Sequence, residues 1–124
     1  MKIVTLIARI LLGLAFVVFG LNAFLQFMKM GPMPAGLAGD FMKAIFMSGY
    51  FYAVAVCQIL GGLMLLSGRF AALGLVIVGP VIVNILLFHT FLAHNLPPPA
   101  IAVTVLGVFL MWAYRDRFAG LFKA

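Results

Sequence analysis

Acid is nearly absent from this chain of 124 residues: Asp40 and Asp116 are its only carboxylate side chains. Charge of either sign is scarce, with 8% of residues charged against 67% hydrophobic and a mean hydropathy of +1.31. A soluble domain carries about 25% charged residues, because its surface must hold water. So little charge excludes an ordinary soluble enzyme, and so much apolar surface excludes a disordered tail. A single cysteine, Cys57, excludes an internal disulfide framework and a Cys-x-x-Cys redox pair. Neither carboxylate lies within an apolar run, which leaves no buried acid to relay protons or to complete a metal site with His89 and His94. No Ser/His/Asp arrangement or phosphate-binding glycine loop is visible.

What remains is base and apolar length. Lys+Arg 8 against Asp+Glu 2 gives net +6. In so apolar a chain this excess reads as a topology signal and as contact with anionic lipid headgroups, not as a nucleic-acid face. Crossing about 30 Å of hydrocarbon takes roughly 20 apolar residues in a helix that satisfies its own backbone. Four runs approach this, at about residues 3–28, 50–66, 71–91 and 99–114. The second and fourth are short for a span. They are expected to extend, the second backwards through Phe41 to Met47 and the fourth forwards through Asp116 to Phe118. Lys2 and the run from Ile10 imitate a signal peptide, but Leu21-Asn22-Ala23 lacks a small residue at minus three, so the first run is read as a retained span.

Four spans place both termini on one side of the membrane, together with the turn Ser67-Gly68-Arg69-Phe70. That side holds Lys2, Arg9, Arg69, Arg115, Arg117 and Lys123, and the other only Lys29 and Lys43. The positive-inside rule then makes both termini cytoplasmic. Trp112 and Tyr114 at the inner end, and Tyr50 and Tyr52 at the outer end, fall where interfacial aromatic belts belong. Gly31-Pro32-Met33-Pro34 must break the first helix. Asp40 stands where an N-cap is expected, and Leu37, Phe41 and Ile45 recur every four residues, which predicts a short surface helix or an early start to the second span. Pro97-Pro98-Pro99 can open the fourth helix. Short connections make neighbouring helices antiparallel. The expected fold is an all-α, up-down four-helix transmembrane bundle in a single domain, residues 1–124.

Polar side chains within spans are the candidates for function. Arg9 lies near enough to the inner surface to snorkel, or to pair with Asp116. At about 1.5 Å per residue, Asn22, Gln26, Gln58, Asn84 and His89 share the middle and outer half of the bundle, with His94 just beyond. The bland reading is that these groups bond helix to helix. The sharper one is a shared polar cavity, opened by a kink at Gly79-Pro80 one turn before Asn84. Gly13, Gly20, Gly61 and Gly62 are packing residues that let helices approach closely.

The order of the motifs resembles the DoxX and DoxX-like family of small bacterial four-span membrane proteins. The resemblance rests on Arg9-Ile10-Leu11-Leu12-Gly13 leading to Phe19-Gly20, on Gln58-Ile59-Leu60-Gly61-Gly62-Leu63 leading to Gly68-Arg69-Phe70, on Pro80 through Asn84 to Phe88-His89, and on Ala113-Tyr114-Arg115-Asp116-Arg117-Phe118. It implies a multi-pass protein of the bacterial cytoplasmic (inner) membrane, linked to membrane redox complexes. Many members carry an acid just before the paired glycines where this chain has the neutral Gln58, which weighs against proton transfer there.

The resulting expectation is a redox-associated subunit that binds a quinone or quinol. His89 and Asn84 would bond its oxygens, Phe88 or Phe91 would line its ring, Gln58 and Asn22 would contribute to the pocket, and Gln26 and His94 would take minor parts. Electrons would come from a partner enzyme, so the chain is at most an accessory subunit. A non-enzymatic scaffold or assembly factor docking other helices, or a homo-oligomer, through its glycine faces is the competing reading, and a small transporter or lipid-handling protein the third.

Overall fold

The computed structural model describes residues 2–25, 35–92, 94 and 97–119. Gln26, Lys29, the Gly31-to-Pro34 break and Lys123 lie outside the described residues. Among those described there is no strand. The helices are α1 (Lys2–Leu25), α2 (Gly36–Ser48), α3 (Tyr50–Ser67), α4 (Ala71–Leu87), α5 (Pro98–Ala113) and the single turn α6 (Arg115–Phe118), with a π-helical segment, Phe88–Leu92, continuing α4.

Helices α1, α3 and α4 with its π-helical extension are each long and apolar enough to cross a membrane. α5 is apolar but has 16 residues, about 24 Å at 1.5 Å per residue. They pack in a ring: α1 against α3, α3 against α4, α4 against α5, and α5 back against α1. Leu12, Phe16, Leu65, Leu75, Val78 and Leu110 fill the middle. Outward, the ring presents large apolar side chains such as Ile7, Leu11, Leu63, Val76, Val83, Val105 and Val108. Only 28% of the most apolar window of α1 is buried inside the fold. Water would not tolerate so continuous an apolar exterior, whereas lipid requires it.

Two adjacent glycines explain how α3 holds two neighbours at once. Successive helical residues point about 100° apart, so Gly62 meets α1 while Gly61 meets α4. A Cβ on Gly62 would lie 2.8 Å from the Gly13 carbonyl oxygen and 3.0 Å from the Val17 nitrogen; one on Gly74 would lie 2.9 Å from the Gly61 oxygen. These are backbone-to-backbone approaches that any side chain would prevent.

Several element ends differ from expectation. The second span does not extend backwards, because Gly49 sits at φ 82° and a left-handed residue cannot continue a right-handed helix. Ser48 Oγ accepts the Tyr50 N–H at 3.2 Å beside it. α2 is therefore a separate helix that buries only Ala38 and Gly39. Its N-cap is Ala35, not Asp40, which falls inside the helix. Nor does the fourth span run on unbroken: Tyr114 leaves helical geometry at φ −103°, ψ 20°. Arg115 there donates Nη1–H to the Trp112 carbonyl at 2.8 Å and lies 4.5 Å over its indole, and Arg117 lies 4.9 Å over Tyr114. Pro97 caps α5, with proline in its first turn as expected. Pro80 lies within α4 without ending it.

Among the described residues Arg9 does not pair with Asp116. Its guanidinium lies against Gly68, the C-cap of α3, while Asp116 stands exposed in α6. A cation at this position complements the free carbonyls and the negative end of the α3 dipole.

Candidate functional site

At the end of the ring away from Gly68, between α1, α3, α4 and α5, lies a cavity of about 200 Å³. Its walls are Phe16 and Phe19 of α1, Ile85 of α4, and Pro97, Pro99, Ala100 and Val103 around the start of α5. Among the described residues only two polar side chains reach it, Gln58 and His89. At about 30 Å³ per water molecule, the space is that of some seven waters, and smaller than the pocket of a drug-sized ligand.

Gln58 stands in the middle of α3, 8% exposed, and its Oε1 is buried without a hydrogen-bond partner among the described residues. A buried amide oxygen left unpaired costs on the order of 1–3 kcal/mol. It calls for an explanation of its own. His89 lies in the π-helical segment, half-buried, with Nδ1 2.7 Å from the Ile85 carbonyl oxygen. A carbonyl only accepts, so Nδ1 carries the hydrogen, and the neutral ring keeps a lone pair at Nε2. π-Helical turns are rare and recur at functional sites. Here the turn carries the one imidazole that faces the cavity.

The other expected site residues are not brought together with these two. Asn84 is exposed and does not line the cavity. The reason is angular: Ile85 and His89, four residues apart, share the inward face, and Asn84 is turned about 100° from Ile85. Asn22 is buried and has a partner, but it is not part of the cavity wall. Phe88 packs its ring 5.6 Å from Phe41 and 5.1 Å from His89, beside the cavity and not in its wall. Phe91 is exposed, and so is His94, whose backbone is left-handed at φ 59°. Gln26 lies outside the described residues.

The apolar walls were missed by a reading that followed polar residues. Phe16 and Phe19, three apart on α1, had a signal in their spacing beside Gly20. Pro97 and Pro99 announced a helix start but not a wall. The π-helical turn has no residue signature.

These features define an all-helical protein with several apolar helices long enough to cross a membrane, the mark of a membrane protein. The chain is 32% identical over 122 residues to the uncharacterized protein YwoB of Bacillus subtilis (strain 168), an alignment that covers 93% of this chain and 79% of YwoB. It belongs to the same family as YwoB. No family model matches the chain, and no solved structure matches it significantly.

Proposed function

We propose that the chain is a DoxX-like four-span protein of the bacterial cytoplasmic membrane that binds the ring of a quinone or quinol in the cavity between Gln58 and His89, as accessory to a redox partner that exchanges the electrons. The observation that carries this reading is an apolar-walled cavity lined also by Gln58 and by His89, whose Nδ1 is held on the Ile85 carbonyl. The residues suit such a group. Phe16 and Phe19 give a flat ring aromatic neighbours, and Gln58 and His89 offer hydrogen bonds to its oxygens. A quinone, when bound, supplies the two-electron chemistry; the chain's own residues hold its ring, orient its oxygens and keep water away. The site has changed from the expected one, with Asn84 and Asn22 out and two phenylalanines and the α5 prolines in.

The scaffold reading loses its principal support, since Gly13, Gly61, Gly62 and Gly74 are consumed by contacts within the chain. The test is extraction of the detergent-purified protein with organic solvent and quantification of quinone. The expected result is close to one quinone per chain, falling severalfold in a folded His89→Phe variant. Phospholipid without quinone would end the proposal.

The proposed topology is four antiparallel spans with cytoplasmic termini, supported by the basic residues at the Gly68 end. Interfacial anchoring by Trp112 and Tyr114 accommodates the short α5. In a Cys57→Ser background, Ala35→Cys should react with an impermeant maleimide added outside the cell, and Ser67→Cys only after permeabilisation. The reverse pattern would invert the protein.

A further inference from the structure

Quinone and quinol differ in the one property the cavity can sense, the direction of their hydrogen bonds. A quinone oxygen accepts, whereas a quinol hydroxyl donates. The bond from Nδ1 of His89 to the Ile85 carbonyl at 2.7 Å uses the ring's hydrogen. Among the described residues nothing else bonds to this ring. Nε2 of the neutral ring is thus an acceptor awaiting a donor. The Gln58 oxygen is buried, without a hydrogen-bond partner among the described residues, and turned away from the open space.

From the fixed orientation of His89 we infer that the cavity is selective for the reduced, hydroxyl-bearing form of its aromatic ligand: it is a quinol site and binds the corresponding quinone more weakly. The inference rests on the reading of the cavity as a quinone or quinol site and adds the redox form. A quinone carbonyl facing Nε2 would set lone pair against lone pair, with no hydrogen between them. A hydroxyl makes a bond in the same place, and one neutral hydrogen bond is worth roughly three- to tenfold in affinity. The preference belongs to His89, because its Nδ1–H is committed to the Ile85 carbonyl.

The experiment is equilibrium binding of a short-tailed benzoquinone and of its hydroquinone to the delipidated protein in detergent, under anaerobic conditions, by isothermal titration calorimetry. The hydroquinone should bind about three- to tenfold more tightly. His89→Phe should bring the two forms to equal affinity, while His89→Gln, which can present an amide oxygen, should keep part of the preference. Equal affinities in the wild-type protein, or tighter binding of the quinone, would overturn the redox preference and leave the quinone site standing. Binding of neither form would overturn both.

Discussion

The two ends of the helix ring are built on opposite terms. Towards Gly68, helix backbones touch through Gly13, Gly61, Gly62 and Gly74, core side chains are apolar and fully buried, and the Arg9 guanidinium lies against the α3 terminus, its Nε buried without a hydrogen-bond partner among the described residues. Towards the start of α5, the helices stand apart around a cavity, an amide oxygen is left unpaired, and α4 gives up regular geometry for a π-helical segment. One end spends its residues on contact between backbones, and the other keeps a cavity and an irregular helical turn. Stability and ligand recognition are therefore separable, and substitutions at the two ends should fail in different ways.

The largest effect is expected at the tight end. In Gly62→Ala the new methyl must displace the Gly13 carbonyl or the Val17 backbone, neither of which is the yielding tip of a side chain. Overpacking of this kind costs about 1–3 kcal/mol. It should appear as a lower thermal midpoint in detergent, with larger side chains worse. An unchanged midpoint would mean that α1 and α3 can slide apart without loss, and that the ends are not built differently.

The tight end was largely legible in the sequence, because paired glycines in an apolar run have few other uses and the Ser67-Gly68-Arg69-Phe70 turn declares itself. The cavity end was legible only in part. Gln58 and His89 stood out as polar groups in apolar surroundings, and both line the cavity. Depth is one coordinate, however, and angle is the other. Asn84 has a suitable depth and faces outward, and no count along a helix could show this before the neighbours of α4 were known. Gly49 illustrates the same limit at an element end: a glycine between two apolar helices is compatible with one long helix or with two, and only its φ of 82° decides.

A gain of stability is expected from Gln58→Leu. Leucine is similar in size and removes the unpaired oxygen, which relieves a burden of about 1–3 kcal/mol in the ligand-free protein. The same change removes one of two polar contacts from the cavity. The ligand-free thermal midpoint should rise while quinol affinity falls. If both fall together, Gln58 is part of the packing at the tight end's expense, and the division between the ends moves.

The smallest effect is expected at Asn84, and it is the one that fixes the boundary of the site. An exposed residue away from special features changes stability by no more than about 0.5 kcal/mol on substitution. Asn84→Leu, which also matches a lipid-facing surface better than an amide, should leave quinol affinity within twofold of wild type and the thermal midpoint the same or slightly higher. His89 is only five residues further on, but it stands on the inward face with Ile85, so His89→Phe in the same assay should remove the preference for the reduced form. Two residues of one helix, close in depth, would then differ in effect because of angle alone. If Asn84→Leu weakens quinol binding as much as His89→Phe does, the last turns of α4 must rotate in the liganded protein and bring Asn84 inward, and the cavity end would be the moving part of the molecule.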